Sequence, residues 1–429
     1  MNGTERLGWE QLAPGVAELQ TYGYLAYVDD VPKELADATC ASTAGANGFA
    51  CSARLPPMTP GTHTIHLTTY VDQGGRFESA KSSPLLVRLV TIVTGLTTAA
   101  GAEADADALA RQVTTVDGVP LQVRVVGQGI ADPTDLAVAP DGRVFVAERA
   151  GRVRVFRGGQ LLAVPALVLP DVETTGDAGG LLAIAVDPAF EESGLVYMVY
   201  TTASGFRLAR FVAAGDALRD RAILLDGVEV AAARPGAALR VGPDRKLYVA
   251  FDDGGDPWRA GDLGSFNGKV LRLNVDGTTP VDQAGGTPVY ALDVNRPSSL
   301  EWSHDGGTLW VGERDADGAD RLDEVAADGP TRRGASLRRH TLPPGTGAGG
   351  STFYWSGAIP AFRGNLFIAA GTARAILRVR FESPESSTIA GTEWILRDQL
   401  GPIRAIAAAP DGGLYFCTAD ALVLITPGA

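Results

Sequence analysis

The chain has 429 residues, of which 45% are hydrophobic and 20% charged, with 53 glycines and 26 prolines. This length predicts two or three domains with sizeable cores, and the glycine and proline content without a collagen period indicates many turns between short strands. A net charge of −13 without any basic run argues against nucleic-acid binding. No apolar stretch of about 18 residues occurs, so no membrane-spanning helix is expected.

The first ninety or so residues contain four strand-like runs separated by proline, glycine and aspartate clusters, with two-residue alternation clearest at Ile65, Leu67 and Thr69. The runs are residues 22–29, 48–55, 62–71 and 84–90. They predict a small β-sandwich over residues 1–92. Residues 55–85, in which a Pro-Gly turn leads into a long strand, resemble the late strands of fibronectin type III and other immunoglobulin-like modules. This resemblance implies a module able to bind a protein partner.

Three cysteines give a prediction about the compartment. Cys40 and Cys51 flank a loop of small residues, a spacing that suits a local disulfide closing a hairpin, although two unpaired buried thiols are the alternative. A disulfide is typical of oxidising compartments, so a secreted or periplasmic protein is expected, and no apolar segment typical of an export signal follows Met1 in this chain. Cys417 stands alone in an apolar strand and is expected to be buried and free. No cysteine spacing indicates zinc or haem.

The composition changes between the first region and the rest of the chain. Residues 93–118 are rich in alanine, aspartate and threonine and lack the apolar stripe of a packed helix. They predict a linker. The second domain is therefore expected to span residues 119–429.

A repeated phrase dominates this second region. An apolar strand runs into a Pro-Asp-Gly-type turn, and a β-branched or aromatic strand follows, which predicts a hairpin in every copy. Further strands at 152–156, 270–273 and 376–380 would complete four-stranded sheets, and residues 121–126 would supply the strand that closes the last one. The sequence therefore predicts an all-β chain whose second domain is a six-bladed β-propeller. The copies begin at Leu136, Leu182, Leu239, Leu300, Ile359 and Ile406.

Several passages of this region resemble the soluble glucose/sorbosone dehydrogenase family. They are GGLLAIAVDPAF at 179–190, residues 239–280 with their GPDRKLYV and DLGSFNGKVLRL phrases, RGNLFIAAG at 363–371 and IRAIAAAPDGGLYFCT at 403–418. The resemblance implies a propeller with a ligand site at its central mouth, and active members of the family use pyrroloquinoline quinone (PQQ) and calcium.

Departures from the family pattern fall on the chemistry. The position of the histidine that removes the sugar's hydroxyl proton holds Arg234, and arginine stays protonated. The Arg-Asn pair that contacts the quinone reads Asn295-Arg296, a lysine position holds Thr372, and of an Arg-x-Arg pair only Arg404 remains, after Pro402. Asn295, Arg296 and Arg404 are therefore the residues that would contact PQQ, if it binds. Each lost charged hydrogen bond should weaken PQQ binding by about 1.5 to 3 kcal/mol. With the base also missing, oxidation of a sugar through PQQ is not expected.

Histidines offer one replacement for the missing base. Of His63, His66, His304 and His340, the first two belong to the N-terminal module and the third to a turn. His340 lies in the long connection between blades four and five, which can reach the mouth, although a solvated loop histidine is the ordinary alternative.

Carboxylates indicate calcium. Glu313, Asp315, Asp317 and Asp320 occupy the place of the family's calcium loop, and alternate carboxylates around a glycine turn can deliver several oxygens to this ion. The alternative is a solvated acidic loop. Residues 252–256 (DDGGD) are a second, weaker candidate, for which ordinary turn chemistry is the alternative.

Three functions follow from these patterns. The first is a divergent family member that binds a small polar or carbohydrate ligand without oxidising it through PQQ. The second is an active PQQ- and calcium-dependent sugar or alcohol dehydrogenase with a relocated base. The third is a calcium-dependent hydrolase of the lactonase kind, for which Asp135, Asn295 and Asp320 are the metal-ligand candidates.

Overall fold

The structure is a computed structural model that describes residues 6–45, 48–56, 58, 61–89, 110–175, 178–231, 235–303, 307–325, 338–384 and 386–428. The chain divides into two compact units, Met1–Ala104 and Asp105–Ala429. No helix of the described residues is both long and apolar enough to cross a membrane. The two α-helices are single turns, α1 (Val16–Leu19) and α2 (Phe190–Ser193), and short 3-10 helices occur at Pro257–Gly261, Ala284–Gly286 and Pro360–Phe362.

The first unit consists of two antiparallel sheets that share one core. Its strands are β1 (Arg6–Gln11), β2 (Gly23–Val28), β3 (Val31–Glu34), β4 (Thr39–Cys40), β5 (Phe49–Arg54), β6 (Gly61–Asp72), β7 (Arg76–Glu78) and β8 (Leu85–Leu89). One sheet has the order β1-β5-β4, and the other has β3-β2-β6-β7 with β8 also on β6. Leu7 and Phe49 from the first sheet pack with Tyr24 and Ile65 from the second. That this sandwich is of the immunoglobulin or fibronectin class stays a prediction.

The predicted cysteine pairing is present. Cys40 on β4 and Cys51 on β5 are cross-strand neighbours joined by a disulfide, with 3.9 Å between their Cα atoms. Cys417 is free and buried, as expected, and burial raises the pKa of its thiol.

The predicted linker differs from the structure at its C-terminal end. Residues 93–109 lie outside the described part of the chain, but β9 (Ala110–Thr114) pairs with β10 (Pro120–Gln128). Residues 110–114 are therefore an edge strand of the propeller and not a connection. Val113 packs against the apolar core beneath this strand, which explains why a segment with few apolar residues is still held in a sheet.

The second unit is a six-bladed β-propeller of antiparallel sheets. A two-stranded hairpin, β16 (Thr174–Thr175) and β17 (Ala178–Gly179), connects the first two blades. Blade 1 contains β11 (Pro133–Val138), β12 (Val144–Glu148), β13 (Arg152–Arg157), β14 (Gln160–Leu161) and β15 (Leu167–Val168), and blade 2 contains β18 (Leu181–Val186), β19 (Leu195–Thr202), β20 (Gly205–Ala214) and β21 (Ala217–Val228). Blade 3 contains β22 (Ala237–Val241), β23 (Leu247–Phe251), β24 (Lys269–Leu273) and β25 (Val289–Ala291), and blade 4 contains β26 (Arg296–Trp302), β27 (Leu309–Arg314), β28 (Asp320–Val325) and β29 (Arg338–Thr341). Blade 5 contains β30 (Ala348–Tyr354), β31 (Asn365–Ala370), β32 (Ala375–Phe381) and β33 (Ile389–Ile395), and blade 6 contains β34 (Ala405–Ala408), β35 (Leu414–Cys417) and β36 (Ala421–Pro427).

The blades form a closed ring. Their first strands contact each other in the order β11, β18, β22, β26, β30 and β34, and β34 returns to β11. One apolar cluster fills each junction between neighbouring blades, so every sheet buries both faces. Strand β10 pairs with β36, so residues from both ends of this unit build blade 6. This confirms the closing strand predicted at residues 121–126.

The repeated turn explains why each blade begins with a hairpin. In blade 1, Asp141 accepts a hydrogen bond from the Arg143 amide at 3.1 Å, and Gly142 has a φ of 81°, which glycine adopts without strain. The same turn joins β11 to β12 and directs the start of β11 and the end of β12 to one face of the ring. Residues at these two positions in every blade therefore meet around the central axis.

Candidate functional site

The mouth of the propeller is a cavity of about 470 Å³ on the face where the first strand of each blade begins. All six blades contribute to it. Its described lining consists of Pro133, Thr134, Arg149, Leu182, Pro235, Gly236, Ala237, Pro297, Ser298, Arg314, Gly347, Ala348, Gly349, Gly350, Gly371, Thr372, Pro402, Ile403 and Arg404. A neighbouring cavity of about 360 Å³ shares Arg149 and Arg314 with it and adds Arg296.

Small residues keep this space open. Gly347, which has a φ of 62°, lies so close to Thr372 that a Cβ atom would overlap its side chain. A Cβ atom at Gly236 would likewise overlap Arg296. The chain therefore approaches itself closely at these two points of the mouth.

Two arginines lie together on the side of blades 1 and 6. Arg149 follows β12, and Arg404 precedes β34. Arg149 Nε donates to Asp132 Oδ2 at 2.7 Å, and Arg404 Nη1 lies 3.7 Å from the other oxygen of the same carboxylate. Arg404 Nε is buried and makes no hydrogen bond to the described residues. Two guanidinium groups thus share one carboxylate and leave a net positive charge here.

Two further arginines lie on blade 4. Arg314 ends β27 and is the cross-strand neighbour of Arg296, the first residue of β26. Arg314 Nε donates to Asp320 Oδ1 at 2.9 Å, and the other oxygen of Asp320 accepts a hydrogen bond from the Gly347 amide at 2.6 Å. Asp320 therefore fixes both an arginine and the glycine-rich turn that lines the cavity.

No proton acceptor is found among the described lining residues, which include no histidine, aspartate, glutamate, lysine, tyrosine or cysteine. Arg234, at the position of the family base, lies outside the described residues, although the next residue, Pro235, lines the mouth. The described part of the site can therefore bind negative charge and hydroxyl groups, but it offers no group that takes a proton near neutral pH.

Most positions singled out for departing from the family pattern lie at the mouth. Thr372, Pro402 and Arg404 line the larger cavity, and Arg296 lines the smaller one. Asn295 is not a lining residue, because its amide Nδ2 donates to Asp253 Oδ2 at 3.2 Å. The sequence reasoning missed Arg149 and Arg314. The signal for both is a Glu-Arg dipeptide at the end of the second strand in the first and fourth repeats.

The carboxylates predicted to bind calcium are separated by other partners. Asp315 pairs with Arg321, Asp320 holds Arg314, and Asp317 is exposed. Glu313 is buried, where Oε2 accepts the Asn295 amide at 2.7 Å, and burial together with the charge of Asp323 raises its pKa. Among the described residues, no group of three or more histidine, cysteine, aspartate or glutamate side chains is placed to hold a metal ion. Calcium binding by Glu313, Asp315, Asp317 and Asp320 stays a prediction.

The second acidic segment, residues 252–256, caps backbone amides. Asp252 is buried and accepts hydrogen bonds from the amides of Gly236 and Gly254, both at 2.8 Å. Burial raises the pKa of Asp252 to about 6, against the effect of these two donors. Asp253 and Asp256 accept from Gly255 and Trp258. This is turn chemistry, which holds the Pro235–Gly236 wall of the mouth in place.

The one described histidine of the propeller, His340, lies away from the mouth. His340 is on β29, the fourth strand outward from the axis in blade 4, and its ring contacts Trp310. The expectation that its connection reaches the mouth is therefore wrong for His340, because strand pairing with β28 fixes it at the outer edge of the blade. His63 and His66 are on β6 of the first unit, and His304 lies outside the described residues.

An ionic triad of the buried Asp135 with the partly buried Arg240 and Glu301 crosses the axis below the mouth. Arg240 Nη1 and Nη2 donate to the two oxygens of Asp135 at 2.8 and 3.2 Å, and Nε donates to Glu301 at 3.2 Å. These residues come from blades 3, 1 and 4, on strands whose first residues line the mouth. Burial raises the pKa of Glu301 to about 7, although the charge of Arg240 opposes this shift. Asp135 is thus bound to an arginine, and Asp135, Asn295 and Asp320, the lactonase candidates, each have a different partner.

Fold and site together define a six-bladed propeller with a cationic, ligand-sized mouth. The profile of the family described as Glucose / Sorbosone dehydrogenase matches residues 130–330 and 324–424, more than half of the sequence. The chain therefore belongs to the glucose/sorbosone dehydrogenase family.

Individual relatives agree with this family. The chain is 26% identical over 344 residues to the uncharacterized protein slr1608 of Synechocystis, covering 68% of this chain and 82% of the relative. It resembles a putative oxidoreductase (glucose dehydrogenase) of Thermus thermophilus, with 27% identity, a TM-score of 0.62 and coverage of 71% and 99%. The PQQ-bound aldose sugar dehydrogenase of Streptomyces coelicolor shares the fold, with 21% identity, a TM-score of 0.60 and coverage of 71% and 98%.

Proposed function

We propose that the mouth of the propeller binds a small, carbohydrate-like ligand that carries negative charge, and that the chain does not oxidise this ligand through PQQ. One observation carries the proposal: the described lining holds guanidinium groups and no proton acceptor. Oxidation of a sugar hydroxyl requires removal of its proton, and a positioned base contributes about 10² to 10⁴ in rate. A protonated arginine cannot replace that base.

The lining also suits hydroxyl groups. Thr134, Ser298 and Thr372 bring side-chain hydroxyls to the cavity, and the glycine-rich turn from Gly347 to Gly350 brings backbone groups. These are donors and acceptors of the kind that orient a polyhydroxylated ligand. Arginine supplies a rigid fork of donors that matches a carboxylate. A sugar acid therefore combines both features of the lining.

The active PQQ-dependent dehydrogenase remains the second candidate because of one observation. Arg149, Arg314 and Arg404 line the mouth and are cations that can pair with the three carboxylates of PQQ, although Thr372 and Pro402 stand where the family pattern has basic residues. PQQ would supply the two-electron oxidation when bound. The residues described here would hold and orient it, but the base would have to come from elsewhere, and Glu301, Glu313, Asp252 and His340 do not line the cavity.

No observation favours the calcium-dependent lactonase, because Asp135, Asn295 and Asp320 are engaged by different partners. The Cys40–Cys51 disulfide supports a secreted or periplasmic protein. A protein partner for the N-terminal unit stays a prediction.

Calorimetric titration of the full chain with gluconate and with glucose at pH 7 tests the proposed ligand class. We expect gluconate to bind at least about tenfold more tightly than glucose, because its carboxylate can form a charge-assisted hydrogen bond. Added salt should weaken gluconate binding and leave glucose binding unchanged. Equal affinities, or the same salt dependence for both, would contradict the proposal.

A further inference from the structure

A separate cavity lies beside the mouth, at the junction of blades 2 and 3. Its volume is about 420 Å³, within the range of about 300 to 1,000 Å³ that is typical of ligand sites. Its described walls are residues 201–205, around the turn from β19 to β20, residues 229–231, which follow β21, and Glu173, Gly179 and Pro235. These segments lie on the face of the ring that holds the mouth, and Pro235 lines both spaces. We call this space the outer cavity.

The outer cavity differs from the mouth in charge. Its described lining includes two carboxylates, of Glu173 and Glu229, and no arginine, lysine or histidine, whereas three arginines belong to the described lining of the mouth. Carboxylate oxygens accept hydrogen bonds from the hydroxyls of a sugar, and they repel an anionic group. The outer cavity therefore suits a neutral, hydroxylated unit and not the negative charge that suits the mouth.

An exposed aromatic side chain lies on the loop that adjoins the outer cavity. Trp258, between β23 and β24, is 89% exposed, and this loop is on the same face of the ring as the mouth. The next residue, Arg259, forms an ion pair with Glu229 of the cavity lining. The indole is a flat apolar surface next to a polar cavity, and such a surface can pack on the C–H face of a sugar ring.

The loop that carries Trp258 is fixed to the wall of the outer cavity. Asn267 Nδ2 donates to the carbonyl oxygen of Glu229 at 2.7 Å. The ammonium group of Lys269, which is fully buried, donates to the carbonyl oxygens of Arg259 and Asn267. Because these contacts already hold the backbone around Trp258, binding there costs little ordering of the loop.

We infer that the outer cavity is a second sugar subsite, which takes a neutral sugar unit with Trp258 packed on its ring. This inference rests on the proposed function for the acidic unit in the mouth, and it deepens that function by naming the ligand as a saccharide of two or more units with an acidic end. The shared wall at Pro235 allows one ligand to occupy both spaces. The difference in charge determines which unit lies in which space.

Calorimetry on the full chain at pH 7 tests the inference with probes that differ separately in length and in charge. They are glucose, gluconate, the disaccharides cellobiose and maltose, and the aldonic acids of these disaccharides, cellobionate and maltobionate. We expect at least one disaccharide acid to bind at least about tenfold more tightly than gluconate, because its second unit fills the outer cavity. That unit is neutral, so the ratio of the two affinities should not change with added salt.

Variants locate the second unit. W258A removes the aromatic surface, and A203W fills the outer cavity from the exposed turn between β19 and β20. Both should lower the affinity for the disaccharide acid to about that for gluconate and leave gluconate binding unchanged. F77A, which removes an exposed aromatic side chain of the first unit, is the matched control and should change no affinity. Thermal unfolding confirms that each variant is folded.

The outcomes distinguish this inference from the proposed function. If gluconate binds better than glucose but neither disaccharide acid binds better than gluconate, the subsite inference fails and the proposed function stands. A gain in affinity that either W258A or A203W retains would also overturn the inference. If gluconate binds no better than glucose, while a neutral disaccharide binds better than glucose and loses this gain in both variants, the subsite stands and the proposed acidic ligand fails. Absence of binding by every probe overturns both.

Discussion

Arginines form ion pairs with carboxylates both at the mouth of the propeller and on the axis below it. The two regions differ in how many donors of the arginine these pairs engage. On the axis, Arg240 uses Nε, Nη1 and Nη2 on two carboxylates from other blades. At the mouth, Arg314 uses only Nε on Asp320 among the described residues. The first guanidinium is saturated and joins three blades, whereas the second keeps donors for a ligand. The two arginines therefore differ in the number of their donors that carboxylates engage, and not in residue type.

The largest expected effect is on the saturated arginine. R240Q leaves the carboxylates of Asp135 and Glu301 buried without their cation, and breaking a buried pair in this way costs about 3 to 5 kcal/mol. Denaturant unfolding at pH 8 should show a loss of this size. R219Q, which removes an exposed arginine of the same unit, should cost less than about 1 kcal/mol. A loss in R240Q as small as that of R219Q would contradict the structural role of the triad.

The next effect depends on pH. The pKa of Glu301 in the folded chain is about 7, above the value of about 4.3 for an unfolded glutamate. Folding therefore takes up a proton between these values, so this group makes the free energy of unfolding fall as pH rises through that window. E301Q has no such proton, and its stability relative to wild type should rise by up to about 3 kcal/mol from pH 4.5 to 7.5. Stability curves of E301Q and of wild type that stay parallel across this range would contradict the raised pKa of Glu301. E192Q, which changes an exposed glutamate, is the control.

The smallest expected effect on stability is at the mouth. Arg314 pairs with the buried Asp320, whereas Arg404 and its partner Asp132 are both partly exposed. Exposed pairs of this kind contribute about 0 to 1 kcal/mol. R404Q should therefore unfold within about 1 kcal/mol of wild type. R314Q leaves the buried Asp320 with only the Gly347 amide as a donor, so it should cost more than R404Q but less than R240Q. A destabilisation of either variant comparable to that of R240Q would remove the distinction between the two regions.

Periodic features of the fold were predictable from the sequence. The Pro-Asp-Gly-type turns indicated a hairpin in each blade, and residues 121–126 were expected to close the ring, because one strand must pair across the two ends of a propeller. The fifth copy, expected to begin at Ile359, was misplaced: Pro360–Phe362 is a short 3-10 helix, and blade 5 begins with β30 (Ala348–Tyr354). Strand β9 was missed because Ala110–Thr114 has the composition of its unstructured neighbours. Only its pairing with β10 distinguishes it.

The site was predictable only in part, since contacts between blades have no local signal. Thr372, Pro402 and Arg404 were placed at the mouth by their positions in the family pattern. The ion pair of Asp315 in the acidic run was not predicted, because its partner, Arg321, is not recognisable as one from spacing alone. Arg149 and Arg314 were missed because a Glu-Arg dipeptide is common in sequences. Only the ring of blades brings the two arginines to one cavity.

Dye-linked turnover after reconstitution tests the central claim most directly. The protein is incubated with PQQ and calcium, and reduction of an artificial electron acceptor is followed over a panel of aldoses, polyols and sugar acids. Because the described lining of the mouth holds arginines and no proton acceptor, we expect turnover at least about 10²-fold below that of an active family member assayed in parallel. Turnover comparable to that enzyme on any of these substrates would contradict the account and establish the chain as an active dehydrogenase with a relocated base.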